Sequence, residues 1–367
     1  MKKILFLFHL PPPMHGVSKI NTFIKDSKVL GQKFLIDHVS ISTSRSVEDI
    51  GTSGVRKILF FLKIFCDVFF KLITKRYDAI YITPSLPGIG FFKDSIFVIL
   101  SKIFCANIIL HLHVQGYKKA CKNKLYKVIY SLVFKNTKVI HLSPLLYEDI
   151  SGLVDDRYVY FLGNGAENLF EWRDRARGLK CNTSITVLFF SNLLEFKGPL
   201  VLLKALSYIK SNTKHNIFIQ FVGEWHDPDF KNVFFDYLLE HELSDVVSVR
   251  TGIRGDSRKE FFNTADVFVL PTKYEAYPLV LLEAMSCGLP IISTFEGAIP
   301  SIIKQNENGI LVNKDDHKAL AHALLKLIEN ESLRIAISNN NRVKYLENYS
   351  VESFEIRLTS LLEEIVS

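Results

Sequence analysis

Two glutamates stand eight positions apart in Glu275-Ala-Tyr-Pro-Leu-Val-Leu-Leu-Glu283, which continues as Ala284-Met-Ser-Cys-Gly-Leu-Pro290. The first precedes an expected helix N-terminus. The second falls about two turns into that helix, at ~3.6 residues per turn. One carboxylate at the mouth of a site and one along its wall can grip two hydroxyl-bearing parts of one ligand. Between them, the free N–H groups of the helix N-terminus attract an anion. A sugar joined through a diphosphate to a ribose carries its groups in that order: hydroxyls, anion, hydroxyls.

Other chemistry-bearing loops also follow expected strands. Lys197 lies in Asn192-Leu-Leu-Glu-Phe-Lys-Gly198, just ahead of a helix, where its ammonium is placed as a point charge on phosphate. His111-Leu-His113 ends a strand; alternation sends both rings to one side or leaves His113 just past the strand end, and Gln115-Gly116 opens the loop at once. In His9-Leu-Pro-Pro-Pro-Met-His-Gly-Val-Ser18 the prolines stiffen the loop, and Gly16 lets backbone approach a ligand just before a helix. Val222-Gly-Glu224 and Glu296-Gly-Ala298 repeat the strand–Gly pattern. Each piece alone has a plain explanation: a strand–helix turn, a structural histidine, a lysine that happens to precede a glycine.

Asp227-Pro-Asp229 has the form of an Asp-x-Asp cation element, but no further carboxylates flank it. A solvated turn before a helix is the better reading, and the same holds for Asp155-Asp156 and Asp315-Asp316. No metal site is expected. The first strand is not followed by GxGxxG, and the chain has no GxxxxGK[ST] and no GxSxG, which disfavours a nicotinamide dinucleotide, a P-loop and a nucleophile elbow.

These loops need strands to hold them. Apolar runs alternate with amphipathic stretches throughout, which reads as α/β with parallel sheets. In the first half, strands are expected at 4–8, 34–40, 79–83, 107–112, 138–142 and 158–162, with helices at 18–30, 56–74, 93–104, 119–134 and 144–153. In the second half, strands are expected at 185–190, 216–222, 246–251, 267–270 and 290–294, with helices at 199–211, 230–241, 258–263, 280–287, 317–329 and 331–346. A last amphipathic helix spans 351–366. Both halves look doubly wound, so the chemistry belongs in loops beyond the carboxyl ends of the strands, facing a cleft between domains. A hinge is expected at Gly163-Asn-Gly165 or in the charged stretch 173–180.

The chain of 367 residues, 48% hydrophobic and 23% charged, has room for two globular domains. Its five cysteines are odd in number and contain no CxxC pair, which fits a reducing cytoplasm. The apolar run at 4–8 is too short for a signal peptide and meets His9 and three prolines; it reads as a buried strand. The stretch 58–73 comes nearest to a membrane span but is broken by Lys63, Asp67 and Lys71.

Residues 1–165 hold 23 Lys and Arg against 11 Asp and Glu, whereas the remainder hold 22 against 27. A basic first half joined to an acidic second half implies different partners. The stretches 56–76 and 117–138 mix lysines and arginines with Phe, Leu, Ile and Tyr, a pattern that suits an anionic bilayer as well as an ordinary surface helix. Nucleic acid is not expected, because the cations are not interleaved with stacking platforms.

Taken in order, the loops resemble the retaining glycosyltransferases of family 4. The pieces that carry the resemblance are the Pro-rich Gly16 loop, His113, Gly163-Asn-Gly165, Asn192 to Gly198, Val222-Gly223, the Glu275-x7-Glu283 element with Ala284-Met285, and Gly297 to Pro300 before Asn308-Gly309. The resemblance implies a GT-B fold of two facing Rossmann-like domains with a cleft between them: 1–165 facing acceptor and membrane, 166–350 binding the donor, and 351–367 crossing back to the first domain. It implies that Glu283 holds the ribose of a UDP- or GDP-sugar, that Glu275 faces the transferred sugar, and that the backbone of Ala276, Tyr277, Pro278 and Leu279 meets sugar and diphosphate. By the same resemblance Lys197 neutralises the diphosphate, His113 touches the sugar near the reacting carbon, Gly16 closes over the phosphates, and Ile253 and Arg254 lie near the base.

Two positions depart from the family's pattern. Asn192 stands where an arginine is common, removing one cation from the diphosphate, and Ala276 stands where glycine is common. The implied activity is metal-independent hexosyl transfer with retained configuration, without a cofactor. The implied acceptor is a polyprenyl-diphosphate-linked glycan of a lipopolysaccharide or capsule, met on the inner face of the cytoplasmic membrane. The rivals are a nucleotide-sugar 2-epimerase or other GT-B enzyme, separated by product analysis of donor alone, and a non-enzymatic sugar- or lipid-binding scaffold, separated by donor turnover.

Overall fold

Runs such as Ile4-Leu-Phe-Leu-Phe8 carry apolar side chains on both faces, which suits only a parallel strand covered by helices on each side. In the computed structural model, which describes residues 1–43, 55–171, 184–210 and 216–367, that is their position. The first sheet comprises β1 (Lys2–Phe8), β2 (Phe34–Ser40), β3 (Ala79–Ile82), β4 (Ile108–Leu112), β5 (Lys138–His141) and β6 (Val159–Phe161), in the order β2-β1-β3-β4-β5-β6. The second comprises β7 (Ser184–Phe190), β8 (Asn216–Val222), β9 (Val247–Arg250), β10 (Val267–Leu270), β11 (Ile291–Thr294) and β12 (Gly309–Val312), in the order β12-β11-β10-β7-β8-β9. All pairings between these strands are parallel.

The chain divides into two compact units: Met1–Gly165 with Val351–Ser367, and Ala166–Ser350. In the first, Leu5, Leu7, Ile80, Ile82, Leu110 and Leu112 pack against aromatic side chains of the covering helices, including Phe91, Phe97, Tyr130 and Phe134. The helix Val351–Val366 buries Phe354, Leu358, Leu362 and Ile365 in this unit. Ser27 Oγ donates to Glu355 Oε2 at 2.8 Å, and Lys33 pairs with Glu363 at 3.0 Å. The second unit is closed by the helix Glu331–Asn348. From it the buried Asn341 donates to the Leu289 carbonyl at 2.7 Å, and the Tyr345 hydroxyl donates to the Ala166 carbonyl at 2.8 Å.

The differences from the sequence expectation have local causes. The helix expected over 18–30 divides at Ser27, whose backbone is extended; Ser27 Oγ accepts the Leu30 N–H and starts a second helix, Lys28–Lys33. The helix expected over 119–134 divides likewise, because Asn123 caps Lys124–Phe134. The stretch expected as a helix at 144–153 is a 3₁₀ turn, Pro144–Asp149. The sequence reading missed β12, four residues between two asparagines. The alternative hinge at 173–180 lies outside the described residues.

Candidate active site

In the second sheet the strand order reverses between β7 and β10, which lie side by side although β8 and β9 separate them in sequence. Chain leaving the carboxyl ends of these two strands departs in opposite directions and opens a crevice, the usual ligand position in such sheets. The loop after β7 carries Lys197, and the loop after β10 carries Glu275.

Main-chain contacts join the two loops. The Lys273 N–H donates to the Phe196 carbonyl at 2.7 Å, and Thr272 Oγ1 donates to the same oxygen at 3.1 Å. Gly198 has φ +81, and a Cβ there would lie 2.1 Å from the Pro271 carbonyl oxygen. Only glycine combines that conformation with that approach. Held this way, the Lys197 ammonium contacts the Glu275 carboxylate, and each side chain is 17% exposed.

A turn after β11 supports the glutamate from behind. Gly297, at φ +54, lies so close that a Cβ would sit 1.9 Å from the Glu275 carbonyl oxygen, and the Ala298 N–H donates to the Ala276 carbonyl at 2.8 Å. Ala276 is not among the residues with a positive φ, so replacing the family's usual glycine introduces no left-handed strain. Tyr277 and Pro278 are buried, and Pro278 sits at the N-cap of the helix Leu279–Ser286 without a capping side chain. This corrects the expected geometry: because residues 275–278 are loop, Glu283 lies just over one turn into the helix, not two.

Glu283 is buried, and it is met by a residue the sequence reading passed over. Arg258, the first residue of the helix Arg258–Thr264, donates through Nη1 to Glu283 Oε1 at 2.8 Å, while its Nη2 contacts Glu167. No local spacing announces this contact between residues 25 positions apart. Ile253 and Arg254 lie upstream in the loop after β9, half-buried and exposed respectively. Glu224 pins that loop by accepting the Gly252 N–H at 2.7 Å. Asn192 is exposed at the start of the Lys197 loop. Asp227 caps the helix Pro228–Glu240, its Oδ1 accepting the Asp229 and Phe230 N–H groups at 3.0 and 3.1 Å.

In the first unit, His113 lies just past the end of β4, buried, with its ring 4.1 Å from that of His111. Burial, then the neighbouring His141, lowers its pKa to about 3, while Asn164 acts in the opposite sense, so the ring is neutral. His111, which touches the Tyr81 hydroxyl, is pushed well below the usual range by burial. His141 accepts the Leu142 N–H at 2.9 Å on Nδ1 and is lowered to about 4 by burial. Gly16 is exposed as the first residue of the helix Gly16–Asp26. His15 caps that helix, its Nδ1 accepting the Ser18 N–H while Ser18 Oγ accepts the His15 N–H at 2.9 Å.

Two six-stranded parallel sheets in these orders, each within its own α/β unit, define the GT-B fold. The Anabaena protein HepE, solved in complex with UDP and glucose, shares that fold at a TM-score of 0.73 and 17% identity, with 99% of this chain and 100% of that chain covered. Residues 170–344, which fall within the second unit, match the family Glycosyl transferases group 1. The chain is 26% identical over 264 residues to the capsular polysaccharide biosynthesis glycosyltransferase CapM of Staphylococcus aureus, covering 68% of this chain and 66% of that protein. It is 25% identical over 239 residues to an uncharacterised glycosyltransferase of Methanocaldococcus jannaschii, covering 62% of this chain and 60% of that protein. The matches thus span somewhat under two thirds of these relatives' own length.

Proposed function

We propose that the protein is a retaining glycosyltransferase of polysaccharide biosynthesis. It moves a hexose from a UDP- or GDP-sugar to a hydroxyl of a growing, polyprenyl-diphosphate-linked glycan. The observation that carries the reading is the Lys197–Glu275 pair at the switch point, with the buried Glu283 just over one turn into the adjoining helix. HepE, solved with UDP and glucose, favours uridine as the base, and CapM's role in capsule synthesis favours a surface polysaccharide.

In this mechanism the donor diphosphate takes Lys197 over from Glu275, and the released carboxylate accepts hydrogen bonds from the sugar hydroxyls. The bond from the anomeric carbon to the phosphate oxygen breaks as the acceptor oxygen bonds to the same face. The departing phosphate oxygen takes the acceptor proton, so no enzyme nucleophile is required. Positioning and charge stabilisation supply the acceleration. Lys197 and main-chain N–H groups carry the leaving-group charge, and no obligatory metal is proposed; activity should survive EDTA. His113, neutral at physiological pH, is assigned a hydrogen bond to the sugar, Gly16 a main-chain approach to the phosphates, and Ile253 with Arg254 contacts to the base.

The first unit supports a peripheral position on the inner face of the cytoplasmic membrane. Among the described residues no helix is long and apolar enough to cross a bilayer. Yet the helices Val55–Thr74, Ile89–Phe104 and Lys124–Phe134 expose Leu59, Leu62, Phe70, Ile99, Ile103 and Val128, with Phe69 and Phe104 in edge contact between the first two. Arg56, Lys57, Lys63 and Lys71 accompany this face on the first helix, against the single acid Asp67. Apolar bodies among cations match an anionic bilayer.

The deciding experiment incubates the protein with UDP- and GDP-sugars and a lipid-linked acceptor, and follows nucleoside diphosphate release and the anomeric configuration of the product. Loss of turnover in both Lys197→Ala and Glu275→Ala supports the assignment. Normal turnover in both variants removes it, and conversion of donor without acceptor would instead mark an epimerase.

A further inference from the structure

Glu283 is the more deeply buried of the paired glutamates, and a buried carboxylate requires a compensating charge. That charge comes from Arg258, which lies in neither of the two switch-point loops. Its guanidinium is held between two carboxylates: Nη1 donates to Glu283 at 2.8 Å and Nη2 contacts Glu167. Its Nε is buried and has no acceptor among the described residues, so the two carboxylates alone hold it. A guanidinium is planar with fixed donor directions, so anchoring both ends sets its plane and the direction in which Nη1 meets Glu283 Oε1.

We propose that Arg258 is the positioning residue of the donor's ribose subsite: it anchors Glu283 and directs its carboxylate to accept hydrogen bonds from the ribose hydroxyls. The inference rests on the reading of Glu283 as the ribose-binding group. One guanidinium shared by two carboxylates leaves the trio with a net negative charge. It therefore attracts hydroxyl donors and is poorly matched to phosphate, so Arg258 does not replace the cation missing at Asn192. Lysine keeps the charge but not the fixed donor directions, so it reproduces the function only in part.

The test measures binding of UDP and of 2′,3′-dideoxy-UDP (or the guanosine pair, if GDP binds more tightly) to the full chain and to Arg258→Leu, Arg258→Lys, Glu283→Gln and the Arg258→Leu/Glu283→Gln double variant. Arg258→Leu is expected to weaken UDP binding about tenfold, the scale of hydrogen bonds to a charged group, while leaving the dideoxy nucleotide within about twofold. Arg258→Lys should fall between, and the double variant should bind UDP no worse than Glu283→Gln. A distorted fold would weaken both nucleotides alike, so equal losses for the two overturn the proposal. Additive losses in the double variant also overturn it, as does unchanged UDP binding in Arg258→Leu when Glu283→Gln binds weakly. If Glu283→Gln binds UDP normally, the ribose reading itself fails and the role of Arg258 falls with it.

Discussion

Lys197 and Glu275 meet across the crevice between the β7 and β10 loops, each neutralising the other, and in the proposed mechanism the donor diphosphate separates them. Glu275→Gln should therefore uncouple binding from chemistry. With its ammonium released, the variant should bind nucleoside diphosphate as tightly as the native protein or several-fold more tightly. Its kcat for sugar transfer should fall by about 10²–10³, the scale for removing one preorganised transition-state contact. Calorimetric titration with UDP beside steady-state kinetics separates the two effects; parallel losses of affinity and kcat would refute the exchange of partners.

Gly198 holds the Lys197 loop against β10 through its left-handed backbone and its contact with Pro271. Gly198→Ala is expected to lower stability by more than about 2 kcal/mol, combining an unfavourable φ with a clash against main chain. Urea unfolding monitored in the second unit should report that loss. Gly252→Ala, also at positive φ but with nothing within 4 Å of its Cβ, should lose less.

The buried histidines at the ends of β4 and β5 predict acid sensitivity of the first unit. Burial lowers His113 to about 3 and His141 to about 4, so the folded state stays unprotonated while the unfolded chain takes up protons below pH ~6.5. The unfolded state binds more protons in that window, and stability falls as pH drops from about 6.5 toward 4. Each such histidine contributes a slope approaching 1.4 kcal/mol per pH unit. Denaturant melts at pH 7, 6 and 5 should show the decline, and His113→Gln should flatten it by about one proton.

Flotation with liposomes tests the exposed face of the first unit. Binding should require anionic lipid, fall as salt is raised, and drop sharply in Phe70→Glu or Ile99→Glu. Both side chains are exposed, so these variants should melt like the native protein. Equal binding to neutral and anionic vesicles would exclude the electrostatic part of the proposal.

Much of the architecture follows from local pattern alone. Apolar runs short enough for strands, such as 4–8 and 267–270, could form little besides parallel strands between helices, and 34–40, 216–222 and 267–270 have the bounds read from the sequence, although 34–40 is a partly exposed edge strand. Where the expectation slipped, at Ser27 and Asn123, a polar side chain capped a new helix inside an apolar periodicity that did not register the break. The four residues of β12 are apolar but too few to show a period.

The sequence by itself determined which groups are available: two glutamates at fixed spacing, a lysine before a glycine, and a histidine at a strand end, since residue type and separation along the chain are local properties. Only the tertiary structure decided that Lys197 touches Glu275 and that Arg258 holds Glu283. The first contact depends on strand order, which places β10 beside β7, and the second on a turn of helix brought against another from 25 residues away. Neither contact leaves a local mark, because side chains distant in sequence meet only through the packing of the sheet and helices that carry them.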